Sequence, residues 1–273
     1  MTMIDPPPIV LSFAATDPTG GAGLAADFLT CAAIGCHCAG VVTGITVQDT
    51  RGVFAIQAAS SETLEAQARA ILEDMPVAAF KIGVAASADN IAIIAEIIAD
   101  YPDIPVVLDP VLASGRGDPL ADEEMIAALA DLIIPQTTII TPNTIEVRQL
   151  AEEEGIGLRE CAETLLEIGA EYVLLTGTHE PGDQVINTLY AAHGTVRTFS
   201  WPRLPGSYHG SGCTLASAIA SLLAQGLPAE EAVEDAQDYT WNTLKAAFTP
   251  GMGQAIPNRF FWLSEEDDEE EGH

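Results

Sequence analysis

The chain has 273 residues, 48% of them hydrophobic, a composition that suits one large α/β domain and is too apolar for a disordered chain. Forty acidic residues against ten basic ones give a formal net charge of −30, a field that repels phosphate backbones and anionic membranes and so excludes nucleic-acid partners. No apolar run reaches the roughly 18–20 residues of a membrane span, and Met1–Pro8, with no basic residue and three consecutive prolines, fits neither a signal nor a transit peptide, so a cytoplasmic protein is expected.

Residues 1–8 read as a flexible N-terminus. Ile9–Ala14 is a short apolar strand running into Thr16-Asp17-Pro18-Thr19-Gly20-Gly21-Ala22-Gly23, a loop of turn residues ahead of a helix from about Leu24 to Ile34. A buried strand follows around Ala39–Thr46, then a helix over Glu62–Glu73, the strand Ala78–Gly83, a helix over Ala88–Asp100 and the strand Val106–Leu108, with further units to Leu174. Near-continuous Val/Ile/Leu runs between amphipathic helices predict a doubly wound, mostly parallel sheet with helices on both faces. From Gln184 to Trp201 two strands joined at His193-Gly194 read as a hairpin, and helices near Cys213–Gln225 and Ala229–Ala247 close a single domain spanning 9–263. Residues 264–273, with seven consecutive acidic residues from Glu265 to Glu271, read as a disordered acidic tail. The five cysteines read as free thiols, and the Cys36-His37-Cys38 cluster as core packing rather than a metal site, because its spacing matches no common zinc pattern.

In a doubly wound sheet the sites gather at the carboxyl ends of the strands. Several turns there are chemically suggestive. His209-Gly210-Ser211-Gly212-Cys213-Thr214 precedes an apolar helix, so successive amides and the helix dipole could hold a phosphate, and Cys213 at the helix start would have a lowered pKa and could take a proton from a substrate hydroxyl. A plain glycine loop with a buried cysteine is the competing reading. Asp109-Pro110-Val111 ends one strand, and Thr141-Pro142-Asn143 ends another. Asn143 and Glu146 share one face of a helix start, where the carboxylate could hold hydrated Mg²⁺ or simply complete a helix cap.

Taken together, Ala15-Thr16-Asp17-Pro18-Thr19-Gly20-Gly21-Ala22-Gly23 with Asp27, Thr46-Val47-Gln48-Asp49-Thr50, Lys81-Ile82-Gly83, Asp109-Pro110-Val111, Gly117-Asp118-Pro119-Leu120, Thr141-Pro142-Asn143 with Glu146 and His209–Thr214 resemble the hydroxymethylpyrimidine/phosphomethylpyrimidine kinases of thiamine biosynthesis, members of the ribokinase-like superfamily. The resemblance runs from Ile9 to about Ala247. It implies a ribokinase-like fold, ATP and Mg²⁺ as cofactors, and phosphorylation of 4-amino-5-hydroxymethyl-2-methylpyrimidine and then of its monophosphate. It implies that Gln48 recognises the aminopyrimidine, with Ala15, Asp27, Val84 and Val111 at other pocket positions. It also implies Cys213 as the base, the Gly210, Ser211 and Gly212 backbone as the anion hole, Asn143, Thr176 and Asp109 at the nucleotide, and Asp109 with Glu146 at the metal. Relatives are often dimers, so a homodimer is expected. A pyridoxal-type or sugar kinase, or a non-catalytic ligand-binding homologue, is the alternative.

Three departures stand out. Many relatives carry Lys-Ser before the Gly-Asp pair where this chain has Gly115-Arg116. They tend to read Lys-Gly-Gly-His where it has Thr176-Gly177-Thr178-His179, and a pocket methionine is replaced by Val84.

Overall fold

The structure is a computed structural model and describes residues 6–152 and 155–264. The expected acidic tail lies outside the described residues save Ser264, as does most of the expected flexible N-terminus. Strand β1 (Ile9–Thr16) is buried on both sides and lies in the interior of the sheet. The chain leaves it through helix α1 (Gly23–Ile34), lays β2 (His37–Asp49) parallel on one flank, and turns back antiparallel in β3 (Gly52–Ala58). It then crosses by α2 (Ser61–Asp74) to β4 (Val77–Ile82) on the other flank of β1. From there α3 (Ala88–Ala99), β5 (Val106–Leu108), α4 (Glu123–Ala128), β6 (Ile139–Ile140), the short α5 (Glu146–Leu150), α6 (Leu158–Ile168) and β7 (Tyr172–Leu175) build outward in parallel. The antiparallel hairpin β8 (Gln184–Ala191) and β9 (Gly194–Pro202) finishes the sheet, and α7 (Ser211–Ala224) and α8 (Ala229–Lys245) pack across it. The strand order is β3-β2-β1-β4-β5-β6-β7-β8-β9, so the direction of winding reverses between β1 and β4.

Alternation along each strand decides which helix layer it faces. Leu11, Phe13, Phe80, Ile82, Val106, Leu108, Ile140 and Val173 point to the layer of α2, α3 and α6. Val10, Ala79, Val107, Ile139 and Leu174 point to the layer of α1, α7 and α8, where Cys31 and Cys36 also pack and the Cys36 thiol donates to Ser221 O. Local signals set the helix ends. Ser60 and Ser87 accept the Thr63 and Asn90 amides as N-caps, and Gly35, at φ 88°, stops α1. Among the described residues no helix is long and apolar enough to cross a membrane.

The hydrophobic pattern predicts a strand only to about Thr46 and no element over 52–58. The observed β2 continues to Asp49 and pairs with β3, standing beyond the helix layers with Val47 and Phe54 about 60% exposed. A strand that buries neither face lacks the hydrophobic alternation by which strands are recognised.

Candidate active site

A cavity of about 760 Å³ opens over the carboxyl ends of β1, β4, β5, β6 and β7, at the point where the sheet winding reverses. Two helices begin there. Gly23 opens α1 at φ 56°, where a Cβ would strike the Ala15 carbonyl. Gly210, at φ 85°, precedes α7 and presses against the Gly21 carbonyl so closely that no Cβ fits. The two turns therefore interlock through glycine contacts, and both helix starts sit at Cys213, whose sulfur accepts from the Gly23 amide. A Cβ on Gly212 would lie 3.5 Å from Asp109 Oδ1, so the turn runs directly over that carboxylate.

Beneath the turn lies a polar network that the sequence reading did not assemble. Lys81, fully buried in β4, sits 3.0 Å from Oδ1 of the equally buried Asp27 on α1. Ser12 on β1 and Ser217 on α7 each donate to Asp27, at 2.6 and 2.7 Å. Burial opposes the charge of Lys81, but Asp27, Cys213 and Asp109 around it favour that charge and hold the lysine above its ordinary range. Gly83 leaves the room this requires, for a Cβ there would lie 2.8 Å from Lys81 Nζ. Asp27, expected in the substrate pocket, is thus enclosed below its floor and is not part of the lining.

Asp109 is buried, and its Oδ2 has no hydrogen-bond partner among the described residues. Burial pushes its carboxyl up to about 6, against the pull of Lys81 and a hydrogen bond with Cys213. The Cys213 thiol is pushed up to about 12 by burial, with Lys81 opposing and Asp109 and Asp27 adding to the rise. The helix-start argument predicted a lowered value. Removal from water and two nearby carboxylates outweigh the dipole here.

Asn143 and Glu146 cap each other. The Ile145 and Glu146 amides donate to Asn143 Oδ1, and the Asn143 amide donates to Glu146 Oε2 at 2.9 Å. Burial and the neighbouring Asp109 nevertheless push Glu146 up to about 8, and both members of the cap line the cavity. Thr176, following β7, bonds back to the Pro142 carbonyl beside them. Further along, Trp201 stacks on Trp241, and together with Pro202 and Leu244 they make an apolar end to the cavity.

Ala15, Gln48, Val84 and Val111 line the opposite part, so the structure brings the expected residues to one cavity with the single exception of Asp27. Sequence reasoning quoted Lys81, Asp17 and His209 within motifs without giving them a part, and did not single out Arg259. His209 Nε2 lies 2.8 Å from Asp17 Oδ2 and 3.1 Å from the Gln48 amide nitrogen. The buried Arg259 reaches the Gly21 carbonyl and Thr214 Oγ1, tying the two turns from behind. A signal for Lys81 existed, since a lysine between Phe80 and Ile82 in a core strand needs a buried counter-charge, and Asp27 is the one charged residue of α1.

Comparison with known proteins agrees with this geometry. The profile of the family described as phosphomethylpyrimidine kinase matches residues 17–258. The hydroxymethylpyrimidine/phosphomethylpyrimidine kinase of Rhizobium meliloti (strain 1021) is 37% identical over 251 residues, covering 90% of this chain and 94% of that protein. The crystal structure of phosphomethylpyrimidine kinase from Clostridium difficile 630 is 33% identical and superposes with a TM-score of 0.75, covering 86% of this chain and 99% of that one. The ADP complex of Bacillus subtilis pyridoxal kinase is 25% identical with a TM-score of 0.85, covering 94% and 98% of the two chains. Motif order, topology and these likenesses converge, and the chain belongs to the phosphomethylpyrimidine kinase family.

Proposed function

We propose that the chain transfers the γ-phosphoryl group of ATP to the hydroxymethyl group of 4-amino-5-hydroxymethyl-2-methylpyrimidine, and then phosphorylates the resulting monophosphate. The observation that carries this reading is the convergence of two helix starts on Cys213 in a cavity that also holds Gln48. Gln48 binds the pyrimidine edge, since an amide can both donate and accept, while Ala15, Val84 and Val111 shape the pocket around the ring. The Gly210, Ser211, Gly212 and Cys213 amides offset the charge on the transferring group, and the reaction depends on positioning and charge rather than on a covalent intermediate.

Cys213 is the proton acceptor in this reading, and its surroundings set a condition. A thiol held near 12 accepts the substrate hydroxyl proton only as its own proton passes to a nearby base, and Asp109 is the carboxylate beside it. The relay needs Asp109 ionised, and Lys81 favours that state. Asp109 and Glu146 suit a divalent cation: one has an unpartnered buried oxygen, and both are pushed up by burial, a penalty that a cation relieves. When bound, Mg²⁺ with its waters would neutralise the phosphates of ATP. Asn143 and Thr176 lie on the nucleotide side, and the Trp201/Trp241 end takes the flat base. Such an enzyme works in the cytoplasm and, like many relatives, as a homodimer.

The test is ADP formation dependent on the pyrimidine, run with the free alcohol, its monophosphate, pyridoxal and ribose. Turnover with the first two and little with the others is expected, and no pyrimidine-dependent ADP would sink the reading. Cys213→Ala should lower turnover roughly 100- to 10,000-fold while leaving ATP binding intact; full activity would remove the proton-acceptor assignment.

A further inference from the structure

His209 and Asp17 sit at the cavity without a part in the scheme above. Asp17 Oδ1 accepts the Thr19 amide at 2.8 Å, and Oδ2 accepts the Thr19 hydroxyl at 2.9 Å and the Ala22 amide at 2.8 Å. The same Oδ2 lies 2.8 Å from His209 Nε2. Burial opposes the charge of Asp17, but the bond to His209 and the donors of its own loop hold it below the usual carboxylate range. A carboxylate so held only accepts. The hydrogen between the two groups therefore belongs to His209 Nε2, whichever state the other ring nitrogen is in.

This constrains Gln48. Its amide nitrogen lies 3.1 Å from that same Nε2, which would set two donors against each other. Turning the head group over places Oε1 against the N–H, as a second acceptor beside Asp17. The ring packs closely over Gly21, where a Cβ would lie 2.5 Å from His209 Cδ2, and the His209 amide is tied to the Ala255 carbonyl at 2.8 Å.

We propose that His209, anchored by Asp17, is a positioning residue that locks the Gln48 head group with its oxygen toward the imidazole, so that Gln48 offers the substrate amide N–H groups and selects a ring nitrogen bearing a lone pair. The inference rests on the reading of Gln48 as the pyrimidine-facing side chain, and it adds the sense of the hydrogen bond. The 4-aminopyrimidine ring carries such a lone pair on the nitrogen beside its amino carbon. Its 4-oxo analogue carries a hydrogen there, so donor meets donor and the analogue is refused.

The experiment compares kcat/KM for the 4-amino substrate and its 4-oxo analogue in each variant, a ratio from which general damage to catalysis cancels. In the wild type the amino form should be preferred roughly 10- to 100-fold, the effect of one mismatched buried donor. His209→Ala frees the amide to turn and should remove most of that preference, chiefly through KM. His209→Gln keeps an N–H near the Nε2 position and should restore it. An unchanged ratio in His209→Ala overturns the inference. Gln48→Ala separates the two failures: if it leaves KM for both pyrimidines unaltered, the reading of Gln48 has failed, whereas an altered KM beside an intact His209→Ala ratio leaves that reading standing and removes this inference alone. A wild-type measurement needs no variant to fold. The ¹⁵N spectrum of the His209 ring should show Nε2 carrying hydrogen, and a bare Nε2 overturns the proposal.

Discussion

Two buried carboxylates lie under the start of α7, and their surroundings make them opposites. Asp27 is enclosed by Lys81, Ser12 and Ser217, so its charge is matched and its oxygens are bonded. Asp109 shares the field of the same lysine from further off, keeps an unpartnered oxygen and titrates near 6. The first joins β1, β4, α1 and α7 into one block. The second stays unmatched at the cavity floor beside Glu146 and Cys213. Satisfaction marks the support and dissatisfaction marks the chemistry, because a carboxylate that is to hold a cation or take a proton must not already be neutralised.

The contrast can be broken from the Asp27 side first. Lys81→Met leaves Asp27 buried and unpaired and should cost about 3–5 kcal/mol of stability, measured by chemical denaturation. Adding Asp27→Asn, which keeps an acceptor for one serine and offers an N–H to the hydroxyl oxygen of the other, should recover at least half of that loss. If Lys81→Met unfolds like the wild type, the block is not held by this pair. On the other side, Asp109→Asn should leave stability almost unchanged and lower turnover roughly 100-fold. Wild-type turnover should rise with pH as Asp109 ionises, at a pH below about 6 once a cation offsets its burial, and this acidic limb should vanish in the variant. A persisting limb would point to another group.

Glu146 sharpens the comparison through stability. Its folded pKa, pushed up to about 8, lies above its unfolded value, so the native state holds the proton more tightly. Stability therefore falls as pH rises from about 4.5 to about 8. Glu146→Gln keeps an acceptor for the Asn143 amide and removes this penalty. It should raise stability at pH 9 by an amount on the order of 2 kcal/mol and flatten the slope. Equal slopes in thermal unfolding would refute the shift. The smallest effect is expected at Gln48, where replacement by Ala should raise KM for the pyrimidine roughly tenfold with kcat little changed. An unaltered KM would leave the pyrimidine without its partner.

The fold was readable where burial imposes a period. Val10 and Leu11, or Val107 and Leu108, face different helix layers, and runs buried on both sides announce a parallel sheet. Strand β3 escaped because it borders no core, so nothing in its side chains distinguishes inside from outside. Motif order brought most of the cavity into view, since each segment ends a strand at the same edge of the sheet. What could not be read was pairing across the chain. His209 meets Asp17 over 192 positions and Lys81 meets Asp27 over 54, and no local spacing records either. The direction of the Cys213 shift was missed for a related reason. A helix start is visible in sequence, but the carboxylates that surround it are contributed by β5 and α1.

Arg259 has a consequence for biosynthesis. Its guanidinium spans the Gly21 carbonyl and Thr214 Oγ1, so residues from the first loop, the α7 turn and the segment after α8 are knotted at one place. Domains begin to fold from the N-terminus while the chain is still being made. Strands β1 to β7 can assemble during that time, yet the two interlocked turns lack their rear tie until residue 259 has emerged. A chain arrested before that point would carry all nine strands of the sheet and should still be unable to turn over ATP, so completing the sheet and gaining activity are separate events in its synthesis.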